Sequence, residues 1–206
     1  MQKIQEKKSP PVHIDWTYSG KPDALMGTGA TRAEKMLAYA GGIVGALLYV
    51  YFAWTHAYPW AWWQYAIAFV LALDVGGGVV ANALNSCKRF YFAPLQPNET
   101  GWTRVAKNHF AFTALHVHPF VIALVFGAGA WLYGAVWYGA LLLSAVIVLR
   151  VPLYLQRPTA LLMIFVALLA NYYFVAPVPG FEWFVPALFL KIVYGHLVRE
   201  EPYRPT

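Results

Sequence analysis

Six apolar stretches joined by short loops occupy most of this chain and leave few folds open to it. A helix needs about 20 residues to cross roughly 30 Å of hydrocarbon, and each stretch approaches that length. A water-soluble core cannot absorb them, because the chain is 60% hydrophobic, 17% aromatic and only 12% charged. The fold expected is all-α, a polytopic membrane bundle of six transmembrane helices.

Local signals place the boundaries. Thr31 followed by Glu34 is a capping-box pattern, in which hydroxyl and carboxylate satisfy orphan backbone donors at a helix start. The first helix therefore spans 32–54, and the others follow at 62–84, 103–132, 135–151, 158–175 and 181–198. This divides the chain into a polar tail at 1–31, a transmembrane domain at 32–198 and a short tail at 199–206. The first tail lacks the apolar core and small-residue cleavage site of a signal peptide. No internal duplication is evident, since the two halves differ in polar content.

Orientation follows from the cations. Of fifteen Lys and Arg, fourteen lie in the tails, in two of the loops, or at helix ends adjoining them. They include Lys3, Lys7 and Lys8 in the first tail, and the three remaining loops carry none. By the positive-inside rule both termini are cytoplasmic, and the expected location is a bacterial inner membrane. Trp54, Tyr58, Trp60, Trp62 and Trp63, then Trp131, Tyr133, Trp137 and Tyr138, then Tyr172, Tyr173, Phe181 and Trp183 read as an aromatic belt at the opposite interface. Cys87 is the sole cysteine, which excludes an internal disulfide.

The fifteenth cation, Lys191, falls inside an apolar stretch, as do Asp74, His116 and His118. An ionisable group there costs about 2.5–3.5 kcal/mol on insertion scales, so such residues are functional-site candidates by default. At about 1.5 Å rise per residue, Asp74 lies roughly 15 Å deep, His118 near 13 Å, and His116 and Lys191 near 10 Å. They share a layer. These four are the expected catalytic set, with Asp74 and His116 as the acid–base pair, Lys191 tuning Asp74, and the two charges within about 5 Å of each other. The run Gly76-Gly77-Gly78 marks a close helix crossing or a bend beside the carboxylate. Pro119 removes a backbone donor and frees a carbonyl near the layer, while His116 and His118 would splay to opposite faces of a regular helix.

A second polar layer lies at the cytoplasmic mouth: Asn82, Asn85, Lys88, Arg89, His109, Arg150, His196 and Arg199. Topology alone explains the cations as snorkelling residues, but not the histidines and amides. The layer suits an anionic, lipid-like ligand, with Arg89, Arg150 and Arg199 clamping its head.

Metal chemistry has weak support. His109 and His116 are about 10 Å apart along an axis, and only an assembled set of Asp74, His116 and His196 offers ligands. For haem, His109 and His196 alone approach equal depth. No nucleophile elbow, phosphate loop or metal-binding acidic pair appears, and no cofactor is assigned. The net charge of +6 is accounted for by topology, so nucleic acid is not an expected partner.

The first functional expectation is an enzyme or binding protein acting on an anionic amphiphile at the cytoplasmic leaflet, with membrane lipid as its partner. The alternative is a proton- or ion-coupled transporter using Asp74, His116 and Lys191 as a relay. A further alternative is an assembly subunit, a homo-oligomer or part of a membrane complex, whose polar residues only join helices. The outer halves of the helices offer little polarity except Asn171, which ranks the leaflet site above transport.

Overall fold

A computed structural model describes residues 12–205 of the chain, so the basic positions Lys3, Lys7 and Lys8 lie outside the described residues. It is mostly helical. The helices are α1 Arg32–His56, α2 Trp62–Ala81, α3 Asn85–Phe92, α4 Trp102–Lys107, α5 His109–Ala114, α6 His118–Val125, α7 Trp131–Arg150, α8 Leu153–Tyr173 and α9 Phe184–Phe189. The last runs into a π-helical turn, Leu190–His196. Two short antiparallel strands, β1 Val12–Ile14 and β2 Tyr203–Pro205, tie the tails together, a small exception to the all-helical expectation.

Among the described residues four helices, α1, α2, α7 and α8, are long and apolar enough to cross a membrane. That fits a multi-pass integral membrane protein. The other two expected crossings are shorter and interrupted. The 103–132 stretch is broken twice: Asn108 caps α5, its side chain accepting from the Ala111 N–H at 3.0 Å. Pro119 then opens α6, leaving Leu115, His116 and Val117 between helices. At 181–198, a short α-helix is followed by the π-turn. The expected start of the fifth helix at 158 is also moved, since α8 begins at Leu153 and carries Pro158 in its first turns.

The capping box of α1 is formed, with Thr31 Oγ1 accepting from the Glu34 N–H at 3.2 Å and Glu34 Oε2 accepting from the Thr31 N–H at 2.8 Å. Helix α1 packs along α2 through glycines, because any larger residue would separate them. A Cβ on Gly76 would lie 3.1 Å from the Gly41 carbonyl, and one on Gly41 only 2.6 Å from Val80 Cγ2. The glycine run is a close crossing.

At the loop end of the bundle the belt expectation holds only in part. Trp54, Trp62, Trp131, Tyr172 and Tyr173 are exposed as anchors should be. Trp60 turns inward instead, stacking on Tyr58 at 4.7 Å and meeting Phe126 edge-on at 4.9 Å. Phe181 packs 4.5 Å from Phe126 and 5.9 Å from Tyr49, closing a plug of aromatic rings across that end. Tyr133 and Trp137 are buried too, so these rings build core rather than a belt.

Candidate functional site

The α1–α2 crossing fixes one wall of a groove of about 500 Å³ on the tail-side half of the bundle. Asp74 sits on α2 at its base. Lys191 Nζ donates to Asp74 Oδ2 at 2.6 Å, and His118 Nε2 stands 3.1 Å from the same oxygen. Two irregularities aim these side chains. Lys191 belongs to the π-turn, whose extra residue per turn rotates it out of the regular helical face. His118 follows the break before Pro119, so its ring does not splay away from that of His116. The two imidazoles stack with centroids 5.3 Å apart and planes at 28°.

The Lys191 stem is threaded past Gly78, where a Cβ would lie 2.3 Å from Lys191 Cε and 2.6 Å from Cδ. Gly78 is a notch for this one side chain. The lysine is 4% exposed, while the Asp74 side chain is 49% exposed and opens onto the groove. A buried ammonium needs a counter-charge, and Asp74 supplies it. Asn82 Nδ2 adds a hydrogen bond to the Lys191 carbonyl at 3.0 Å.

The expected acid–base pair is rearranged. His118, not His116, meets Asp74, while His116 Nδ1 bonds the Phe112 carbonyl at 2.8 Å and the buried ring serves as wall. The carbonyl expected to be freed near Pro119 is also spoken for: Tyr138 donates to the Ala114 carbonyl at 2.8 Å, and the Val117 N–H to that of Leu115 at 2.9 Å.

The groove's tail-side lip is a strap that sequence reasoning missed. Three consecutive carbonyls, of Ala24, Leu25 and Met26, accept from Tyr91 Oη at 3.0 Å, Cys87 Sγ at 3.6 Å and Ser86 Oγ at 2.6 Å. All three donors lie on α3. Glu34 completes the dock, its Oε1 accepting from the Ser86 N–H at 2.9 Å. Trp102, Phe112 and Leu115 form the facing wall. Only the dense hydroxyl, thiol and cation content of residues 82–91 could have signalled the strap.

The mouth residues do not converge as a clamp on this groove. Arg89 is buried beside Glu34, its Nη2 3.9 Å from Oε1. Arg150 is exposed at the end of α7, and Arg199 lies over the Trp16 ring at 4.7 Å. Lys88 is 1% exposed and donates to the Gly195 and Val198 carbonyls at 2.6 and 2.7 Å. Burial pushes its ammonium down to about 8, against the opposing pull of Glu200 at 3.7 Å. Asn85 Oδ1 accepts from the Tyr203 N–H at 3.0 Å. Lys88, Asn85 and Arg199 instead line a second cavity of about 600 Å³ with Arg157, Glu200 and Glu201, which carries both signs of charge.

His109 Nδ1 and His196 Nε2 are 3.2 Å apart, so one imidazole donates to the other and no porphyrin fits between them. Among the described residues no three His, Cys, Asp or Glu side chains are placed to hold a metal ion, and the set Asp74, His116 and His196 does not converge. Beside the mouth, Glu99 is sealed. It accepts from Lys107 Nζ at 2.6 Å, Tyr18 Oη at 2.8 Å and the Gln96 N–H at 2.8 Å. Burial raises its carboxyl, but these donors outweigh burial and hold it below its ordinary value.

The fold and site thus define a multi-pass, α-helical membrane protein with a titratable cluster at the base of a lateral groove. No family model, curated protein or solved structure matches the chain.

Proposed function

We propose that this protein binds a membrane-borne amphiphile in the groove and exchanges protons with its head through Asp74 and His118, with Lys191 as the counter-charge of Asp74. One observation carries this reading: a carboxylate, an ammonium and an imidazole meet at the bottom of a groove whose rim is apolar and exposed. Tyr39, Ile43 and Leu115 on that rim are 57%, 52% and 49% exposed, so the mouth opens sideways, where hydrocarbon would lie. A carboxylate within hydrogen-bond reach of an imidazole is the elementary unit of acid–base work.

In this reading the interrupted stretches at 102–125 and 184–196 complete six crossings, and the cation bias sets both tails in the cytoplasm of a bacterial inner membrane. The groove then opens to the cytoplasmic leaflet. The transport alternative requires a polar route past the ring plug of Trp60, Phe126 and Phe181, and that packing favours a site reached from one leaflet.

The experiment is photo-crosslinking. Membranes containing the protein are loaded with a diazirine-bearing, alkyne-tagged acyl lipid, and adducts are mapped by mass spectrometry. The reading expects adducts on Trp102, Leu115 and Tyr39, and an altered lipid profile in cells carrying Asp74→Asn or His118→Ala. Adducts confined to the outward faces of α7 and α8, with unchanged lipids in both variants, would overturn it.

A further inference from the structure

The charge balance of the groove narrows its ligand. One ammonium faces one carboxylate at 2.6 Å, so this ion pair is neutral as a unit. An anionic head placed there would sit beside Asp74 in a medium of low dielectric constant, and a cationic head beside Lys191. Either meets a like charge at close range. The cations that would welcome an anion, Arg89, Arg150 and Arg199, lie outside the groove.

The remaining hydrogen-bond capacity has both signs. Lys191 spends one of its three N–H groups on Asp74, and both contacts to Asp74 fall on Oδ2, which leaves Oδ1 free of any partner among the described residues. An uncharged head that offers a carbonyl oxygen to Lys191 in one form, and a hydroxyl to Asp74 in another, uses the cluster fully. The walls add shape. Flat rings line the groove, His116 and Phe112 with centroids 4.9 Å apart and Tyr91 and Trp102 beyond them, while Ile43 and Leu73 add aliphatic surface. Flat surfaces select a planar head over a branched glycerol, and the apolar rim selects a hydrocarbon tail leaving sideways. The volume of about 500 Å³ lies within the range of roughly 300–1,000 Å³ that holds a ring with the first part of a chain.

We infer that the occupant is a membrane quinone or its quinol, bound with one ring oxygen at Lys191 and Asp74 and its prenyl tail emerging past Ile43. This rests on the amphiphile reading given above and concerns binding alone.

The test uses the whole protein in immobilised phosphatidylcholine nanodiscs, titrated with decylubiquinone and compared with empty discs. Retained quinone is extracted and read by absorbance. Saturable retention above empty discs is expected, at least tenfold weaker in Leu115→Trp, which fills the groove from its exposed wall, and in Asp74→Asn/Lys191→Met, which keeps neutrality but removes the charged partners. Decyl phosphate and a monoacylglycerol run as parallel arms. Retention of either of these but not of the quinone, abolished by Leu115→Trp, would overturn the quinone assignment and leave the amphiphile reading standing. No saturable retention in any arm would overturn both. Quinone retention equal in wild type and both variants would place the molecule elsewhere and refute the site. Wild-type-like elution of both variants in detergent separates lost binding from lost folding.

Discussion

Replacing Gly78 with alanine puts the polar centre under the most direct strain available. The new methyl carbon would lie 2.3, 2.6 and 3.0 Å from Lys191 Cε, Cδ and Cγ, along the middle of a stem that is itself buried. The stem must leave its notch, and its ammonium then loses Asp74. Overpacking of this kind costs about 1–3 kcal/mol, and a hydrogen bond to a charged group contributes about 1.5–3 kcal/mol. Alanine returns about 1 kcal/mol of helix propensity, so Gly78→Ala is expected to destabilise by about 3 kcal/mol. The comparison is Gly45→Ala, whose Cβ would sit at an ordinary 3.5 Å from the Ala72 carbonyl and from Gly76 Cα. That change should be neutral or slightly stabilising. Reversible unfolding in mixed micelles, with helicity followed by circular dichroism, measures both. The decisive variant is Gly78→Ala in a Lys191→Ala background, where no stem remains to collide with and the alanine should cost nothing. An equal penalty with and without the lysine would refute the notch, and with it the claim that Gly78 positions the cluster.

Three further outcomes follow from groups outside the spanning helices or at the loop end. Lys88→Met strips the donor from two buried carbonyls, those of Gly195 and Val198, and should destabilise by about 3 kcal/mol in the same unfolding assay. With the native Lys88 ammonium at about 8 and the unfolded one at its ordinary 10.5, the unfolded chain holds the extra proton between those values. Stability contributed at this position therefore rises with pH across that window, and the rise should vanish in Lys88→Met. Glu99 acts in the acid range: its folded carboxyl lies below its ordinary 4.5, so its stabilisation is present above that value and is lost as pH falls below it. Thermal unfolding at pH 3.5 and pH 7 should differ less in Glu99→Gln than in the wild type. Trp60→Ala removes the hub of the aromatic plug and should cost about 3–5 kcal/mol, while quinone retention by the folded fraction stays within about twofold, because the plug and the groove lie at opposite ends of the bundle.

Much of this architecture was legible because its causes are local. The Thr31–Glu34 box places the start of α1 at Arg32, where it is found, and the apolar lengths of α1, α2, α7 and α8 mark them as membrane helices. The Asp74–Lys191 pair was legible for a different reason: two opposite charges stranded in apolar helices have few other partners. What stayed hidden depends on departures from the regular helix. Counting at 100° per residue assigns His116 and His118 to opposite faces, and it fails because Asn108 and Pro119 break the stretch on either side of them. The π-turn carrying Lys191 has no comparable marker in the sequence. The strap is invisible to periodicity, since its three carbonyls find donors 60 to 67 residues away on α3.

Those departures from regularity fall at one level of the bundle, and that coincidence bears on function. A regular helix satisfies its own backbone, whereas a break inside hydrocarbon must find substitute donors or line a cavity. Here the break before α6 recruits Tyr138, and the π-turn recruits Asn82. Each irregularity therefore requires a dedicated side chain on a neighbouring helix. A bundle needing only to join helices could dispense with both, and with the buried charges as well, because apolar packing of equal volume is commonly as stable as a buried ion pair. The irregularities do have one shared result: they bring Lys191 and His118 onto the same carboxylate oxygen of Asp74 at the floor of an open groove. Structure retained at this cost, converging on a single exposed carboxylate, argues for a bound ligand over mere helix adhesion. In the proposed reading it also puts the proton exchange on Asp74 rather than on the more deeply buried His116, whose Nδ1 is held by the Phe112 carbonyl, or His196, whose Nε2 is held by His109.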